Sequence, residues 1–257
     1  MHRRLLMVSL MAWLSLSLLG CASVEEQRAK MKVADTNMRL GVGYLKQGRI
    51  EEALLKLKKA LEAAPDLIPA HSAIALVYEQ LGDNENAETH FLSALDLGPN
   101  DGRIHNNYAA FLCRTGKPLD AEPHFLQAIR SPGYRTPERA LENLGMCAMQ
   151  IPDLDKAETY LRKALQMDPK LPGALLQMAR VSVQKKRFLS GRAYLQRLQE
   201  VAPLGPEALW LGIQVEQKLG DEVTARRYEL ELRRKYPDSV EARKLLESAS
   251  ATGGESR

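Results

Sequence analysis

The most regular feature of this sequence is a spacing of 34 residues between its proline, small and apolar positions. Pro65 and Pro99 are one such period apart, and Pro169, Pro203 and Pro237 follow each other at the same spacing. Two periods and two additional residues separate Pro99 from Pro169, so the pattern continues after a short interruption. A fixed period of this length predicts an array of repeated structural units.

Each repeat is expected to form two helices joined by a tight turn. In the first repeat, the small residues Gly41 and Ala53 would let the two helices approach closely, while Leu57 fills the space between them. Gly48 permits the turn, because glycine adopts backbone conformations that other residues avoid. Pro65 ends the repeat, because proline has no N–H to continue a helix. The abundance of Ala and Leu and the low aromatic content of 5% also favour helices.

This pattern resembles the tetratricopeptide repeat, and the resemblance covers roughly residues 34–239. It implies an all-α fold, a right-handed superhelical solenoid of about six repeats with a C-terminal capping helix. In the sixth repeat, Leu211 and Gly212 lie one residue out of step, so its first helix is expected to be shifted. The repeats are predicted at 34–67, 68–101, 102–135, 138–171, 172–205 and 206–239, with a capping helix and frayed tail at 240–257.

The first twenty residues have the layout of a secretory signal peptide, with Arg3 and Arg4 before an apolar run. The run is about fifteen residues, whereas a membrane-spanning helix needs roughly twenty, so a transmembrane anchor is the weaker alternative. The run ends in Leu-Leu-Gly followed by Cys21, which resembles the bacterial lipobox. We therefore predict a signal peptide at 1–20, lipidation of Cys21 and a lipidated, mobile tether at 21–33. An ordinary signal peptide with a chance cysteine is the other alternative.

Charge and reactive side chains indicate no catalytic or metal chemistry. The net charge of +4 is mild and the basic residues are interleaved with acidic ones, which gives no case for nucleic acid. Cys113 and Cys147 fall at apolar helix positions without CxxC spacing, so we expect unpaired thiols, with a disulfide as the alternative in an oxidising compartment. We expect no metal, cofactor or small-molecule substrate. The histidines share repeat positions, which favours packing or surface roles: His71, His90, His105 and His124.

A solenoid of helix pairs offers a concave surface lined by first-helix side chains, suited to a segment of a partner protein. In the tetratricopeptide family the lining positions are the second, fifth, ninth, twelfth and thirteenth of each repeat. Arginines there would bind carboxylates, and methionines and leucines would accept apolar side chains. An ordinary solvated face is the alternative for each residue. The candidate groove residues are Arg103, Asn106, Arg114, Arg139, Glu142, Met146, Met149, Leu176 and Arg180.

Two strings narrow the resemblance further. The run 106–112 in the third repeat and the run 142–145 opening the fourth are similar to the PilW/PilF lipoproteins of type IV pilus biogenesis, which share the lipobox, tether and interrupted repeats. The resemblance implies a periplasm-facing, outer-membrane pilotin rather than an enzyme. Its expected partners are the PilQ-like secretin subunit, which it helps to localise and multimerise, and outer-membrane lipid. The alternative is a repeat scaffold for another envelope assembly, peptidoglycan or outer-membrane protein machinery.

Overall fold

The computed structural model describes the backbone of residues 2–253 and the side chains of residues 24–247. Within that part every regular element is an α-helix, which confirms the predicted all-α class. The chain divides into an N-terminal unit, Met1–Tyr108, and a C-terminal unit, Ala109–Arg257, and the division falls inside α5. The helices are α1 His2–Lys46, α2 Ile50–Ala63, α3 Ile68–Gln80, α4 Asn84–Leu97, α5 Gly102–Arg114, α6 Pro118–Arg130, α7 Pro137–Ala148, α8 Leu154–Met167, α9 Pro172–Gln184, α10 Phe188–Val201, α11 Pro206–Leu219, α12 Glu222–Lys235 and α13 Val240–Gly253.

Short turns join the helices in pairs, and most of these turns contain a residue with positive φ. Glycine takes that conformation without steric cost, which explains Gly48, Gly82, Gly116 and Gly220 with φ of 73°, 77°, 80° and 77°. Lys186 occupies the equivalent position in the fifth repeat with φ of 56°. In the fourth repeat the equivalent position is Pro152, whose ring holds φ negative. The turn between α7 and α8 is longer than the others.

At the N-terminal end of the described side chains, the residues of the predicted tether are helical. Residues 24–33 continue α1 as an exposed helix, and Ala34 is the first buried side chain. Strong helix formers and an ion pair one turn apart, Glu26 with Lys30 at 2.8 Å, support this extension. The side chain of the predicted lipidation site, Cys21, lies outside the described residues.

Close helix approach in both units depends on glycine. In the N-terminal unit, a Cβ atom on Gly41 would lie 2.5 Å from Cγ of Leu57. In the C-terminal unit, Gly145 stands in the same relation to Leu161, at 2.6 Å. The sixth repeat makes this contact one position earlier in both of its helices, because Gly212 there packs against the ring of Tyr228. Gly212 and Tyr228 are therefore both offset by one position, while the turn at Gly220 keeps the repeat register.

The C-terminal unit has a continuous apolar core built from α7 to α13, with the predicted capping helix α13 contributing Ala242 and Leu245. A buried ionic cluster links its fourth and fifth repeats. Glu158 on α8 accepts hydrogen bonds from Lys185 at 2.5 Å and from Arg162 at 2.6 Å. Burial alone would raise the pKa of Glu158, but these hydrogen bonds outweigh it and lower the pKa from 4.5 to about 2.

The expectation of unpaired thiols was wrong, because Cys113 and Cys147 form a disulfide. Their Cα atoms lie 5.6 Å apart, within the range that a disulfide requires. Cys113 is near the end of α5 and Cys147 near the end of α7, so the bond connects the first helices of the third and fourth repeats. Apolar spacing predicted correctly that both side chains are buried. It could not show that they face each other, because that depends on how two separate helices pack.

Candidate functional site

In the N-terminal unit, the first helices of the second and third repeats form a groove of about 200 Å³. The candidate Arg103 lies in its wall, exposed and ion-paired with Asp101 at 2.7 Å. The candidate Asn106 is half-buried and contacts its neighbour Asn107. Asn107 lines the groove, whereas Asn106 does not. The hydroxyl of Ser72 also lies in this wall, buried and without a hydrogen-bond partner among the described residues. The lining is Ile68, Pro69, Ser72, Ala73, Leu76, Asp101, Arg103, Ile104 and Asn107.

In the C-terminal unit, the candidates on α5 and α7 differ in exposure. Arg114 and Arg139 are exposed, and Met146 keeps 37% of its surface accessible. Met149 is half-buried and packs against the apolar core. Of these four residues, the two arginines and Met146 are therefore accessible to a partner, whereas Met149 mainly supports the fold.

Glu142 has an unusual environment for a groove residue. It is half-buried on α7, and its Oε1 atom lies against the backbone of Gly173 on α9, where a Cβ atom would come within 1.7 Å. Burial raises the pKa of Glu142 above its usual value of 4.5, and the nearby carboxylates of Asp168 and Glu138 add to this while Arg139 opposes it. The ionised side chain is therefore held in a place that does not favour its charge.

A second groove, of about 400 Å³, lies between α9, α11 and α13. The candidate Arg180 lines it and forms an ion pair with Glu207. Trp210 lies beside them, half-buried, whereas the candidate Leu176 packs against the core and does not line this groove. The lining is Arg180, Val183, Gln184, Glu207, Trp210, Leu211, Gln214, Glu241 and Lys244.

Sequence reasoning missed the part of this groove that comes from α11 and α13. Glu207, Trp210 and Gln214 occupy the second, fifth and ninth positions of the sixth repeat, and Glu241 and Lys244 continue the second and fifth positions into the capping helix. The rule that selected the candidates in the central repeats would have found these residues as well.

Comparison with known proteins identifies the repeats. The chain matches models described as TPR repeat over residues 43–82 and as tetratricopeptide repeat over residues 72–134, 112–172 and 152–211. A protein of Haemophilus influenzae without a functional name is 34% identical over 137 residues, which cover 53% of this chain and 76% of that protein. The type IV pilus assembly protein PilF of Pseudomonas aeruginosa is 29% identical over 89% of this chain and 93% of its own length.

A solved structure agrees with these matches. The crystal structure of PilW, described as a widely conserved type IV pilus biogenesis factor, is 29% identical, with a TM-score of 0.77. The alignment covers 83% of this chain and 98% of PilW. The chain belongs to the PilW/PilF family of tetratricopeptide-repeat proteins. Such repeats bind other proteins, which fits first-helix grooves that combine apolar and charged side chains.

The side chains of this PilW/PilF-family protein show no arrangement for metal binding in the described part of the chain, where no group of three suitable ligands occurs. One histidine pair is present, in which Nδ1 of His71 lies 3.1 Å from Nδ1 of His90. His71 also bonds the carbonyl of Pro65 at 2.8 Å, and burial lowers the pKa of His90. These contacts join α3 and α4, the two helices of the second repeat.

No helix in the searched residues is long and apolar enough to cross a membrane.

Proposed function

We propose that this protein is an outer-membrane lipoprotein of type IV pilus biogenesis that acts as a pilotin. It binds the secretin subunit through the first-helix grooves and promotes localisation and multimerisation of the secretin in the outer membrane. The observation that carries this proposal is the likeness to PilF and PilW along almost their whole lengths, 93% and 98%. The two amphipathic grooves supply surfaces on which a secretin segment would bind.

The mechanism requires a lipid anchor in addition to a groove. Acyl chains on Cys21 would partition into the outer membrane while the repeats hold the secretin segment, so that both reach the membrane together. One acyl chain gives only marginal membrane binding, whereas two or more anchor a protein stably. The support for this anchor is the lipobox that ends at Cys21.

Fractionation of cells tests the anchor. The variant Cys21→Ser should leave an uncut or soluble form that is lost from the outer membrane, and Ser23→Ala, two residues further along, is the matched control. Outer-membrane levels of Cys21→Ser equal to those of wild type would exclude the lipoprotein assignment.

Affinity capture tests the partner. Wild-type protein purified from envelopes should bring down secretin, and cells lacking the protein should have fewer secretin multimers and pili. Capture of a different assembly machinery, without secretin, would overturn the pilotin proposal in favour of a repeat scaffold.

Removal of groove side chains tests the surface. The triple variant Asn107→Ala, Arg139→Ala and Arg180→Ala should bind secretin at least tenfold more weakly, because contacts to each of the two charged donors contribute roughly 1.5 to 3 kcal/mol. Its stability should fall by no more than about 1 kcal/mol, since Arg180 leaves only a partly exposed Glu207 without its partner. A matched control removes one amide and two arginines from exposed positions on second helices, Gln199, Arg130 and Arg226. Equal capture of secretin by both triple variants would exclude the first-helix faces as the secretin-binding surface.

A further inference from the structure

The first-helix face of the C-terminal unit has a row of residues at one repeat position, the fifth. Glu142, Leu176 and Trp210 occupy this position in the fourth, fifth and sixth repeats. They lie on α7, α9 and α11, and α9 contacts each of the other two helices. The row therefore consists of the carboxylate of Glu142 at one end, the half-buried Leu176 in the middle and the indole of Trp210 at the other end. Trp210 lines the groove between α9, α11 and α13.

Among the residues whose side chains the structure describes, no cation forms an ion pair with the carboxylate end of the row. Glu142 forms no ion pair and no hydrogen bond with any residue whose side chain the structure describes, although Arg139 lies one turn away on the same helix. A carboxylate withdrawn from water is stabilised by a nearby cation, so this end of the face is complementary to lysine or arginine.

Gly173 keeps this end open. It occupies the second position of the fifth repeat, where the neighbouring repeats carry Arg139 and Glu207. Any side chain at Gly173 would overlap the carboxylate, because its Cβ atom would lie 1.7 Å from Oε1 of Glu142 and 2.9 Å from Cδ. The absence of a side chain lets the Glu142 carboxylate lie against the α9 backbone.

The indole end of the row is complementary to an apolar side chain. Arg180 is already paired with Glu207, so its charge is compensated within the chain. Trp210, Val183 and Leu211 supply apolar surface in the same groove. Half-buried tryptophans of this kind are common anchors in protein interfaces.

The separation of the two ends sets the spacing of the ligand. Packed helices lie about 8 to 10 Å apart, so the step from α7 across α9 to α11 is about 16 to 20 Å. An extended chain rises about 3.3 Å per residue, which makes that step about five to six residues. We propose that the C-terminal unit binds an extended partner segment in which a lysine or arginine precedes or follows a large apolar residue by about five positions. The cation contacts Glu142 and the apolar side chain contacts Trp210. This inference rests on the proposed function, since it identifies the kind of segment the pilotin would bind.

Synthetic peptides test the proposal with the purified full-length protein. The probe carries one lysine and one phenylalanine about five residues apart in an otherwise neutral, polar sequence. One control peptide places the same two residues about two apart, and another replaces the lysine with glutamine. Wild-type protein should bind the probe about tenfold or more tightly than either control. Failure to prefer the probe would overturn the proposal.

Three variants separate the two ends of the row. Glu142→Gln should reduce affinity for the lysine probe about tenfold and leave affinity for the glutamine peptide unchanged, while Glu200→Gln, an exposed second-helix control, should change neither. Trp210→Ala should lower the affinity for the lysine probe and for the glutamine peptide by the same factor. Glu142→Lys should no longer bind the lysine probe and should instead bind a peptide in which glutamate replaces that lysine. Undiminished binding of the lysine probe by Glu142→Gln would exclude Glu142 as the contact.

The same variants distinguish failure of this inference from failure of the pilotin proposal. Equal capture of secretin by wild type and Glu142→Gln would exclude the lysine contact and leave the pilotin role intact. Binding of the spaced peptide without any capture of secretin would exclude the pilotin role and support the recognition rule.

Discussion

Adding one methyl group at Gly41 is the most direct test of how closely the paired helices pack. The new Cβ atom would lie 2.5 Å from Cγ and 2.8 Å from Cδ2 of Leu57, and 3.1 Å from the carbonyl oxygen of Ala53. Leu57 and Ala53 are fully buried, so neither has free space into which it can retreat. The helices α1 and α2 must therefore move apart, or Leu57 must adopt a strained rotamer.

Two opposing contributions determine the effect of Gly41→Ala on stability. Alanine in place of a mid-helix glycine stabilises by roughly 0.5 to 1 kcal/mol. Overpacking a filled core costs about 1 to 3 kcal/mol, and contacts this short, one of them to backbone, place Gly41 in the upper part of that range. We expect a net loss of about 1 to 2 kcal/mol in the free energy of unfolding.

The same helix contains a matched control. Gly43 is two residues further along α1, and a Cβ atom there would meet nothing within 4 Å. Gly43→Ala should therefore show the propensity gain alone, a stabilisation of about 0.5 to 1 kcal/mol. One chemical change, made twice in one helix, should alter stability in opposite directions.

Urea unfolding of the purified variants, followed by circular dichroism, measures the free energies. Repeat arrays can unfold in sections, so hydrogen exchange of the α1 and α2 amides should accompany it. In a Leu57→Ala background most of the cost of Gly41→Ala should disappear, because the two nearest clashing atoms are gone and only the 3.1 Å contact with the Ala53 carbonyl oxygen remains. Equal stabilisation by Gly41→Ala and Gly43→Ala would refute the close approach of these helices.

Three further predictions concern the C-terminal unit. Replacing both Cys113 and Cys147 by serine should lower its stability by up to about 4 kcal/mol, since the bond closes a loop with a sequence separation of 34, and reductant should destabilise wild type but not this variant in thermal melts. Because the folded-state pKa of Glu158 is about 2 against 4.5, its contribution is complete above pH 4.5 and is lost as pH falls from 4.5 towards 2. The free energy of unfolding of Glu158→Gln should therefore fall less steeply with decreasing pH than that of wild type. An unchanged slope would exclude the Glu158 carboxylate as a source of the acid sensitivity. Lys186→Gly should raise stability by about 1 kcal/mol in urea unfolding, because φ of 56° strains a lysine, whereas Lys186→Ala should give no such gain.

Local regularities in the sequence determined the repeated helix pairs. The 34-residue spacing of prolines and small residues predicted two helices per repeat, and the glycines predicted most of the turns. These features could be inferred because each depends on residues close together in the chain: a proline stops its own helix, and a glycine permits its own turn. The offset in the sixth repeat was visible for the same reason, in the position of Gly212 relative to Gly220.

Tertiary structure decided which side chains meet. The repeat positions identified Arg180 and Glu142 as surface candidates, but not that Arg180 pairs with Glu207 or that Glu142 settles against Gly173. The same limit applies to Cys113 and Cys147, whose burial could be inferred and whose bond could not. Helical periodicity reports only which face of a helix is apolar. Contacts between helices also depend on their rotation and offset, which packing of the whole core determines.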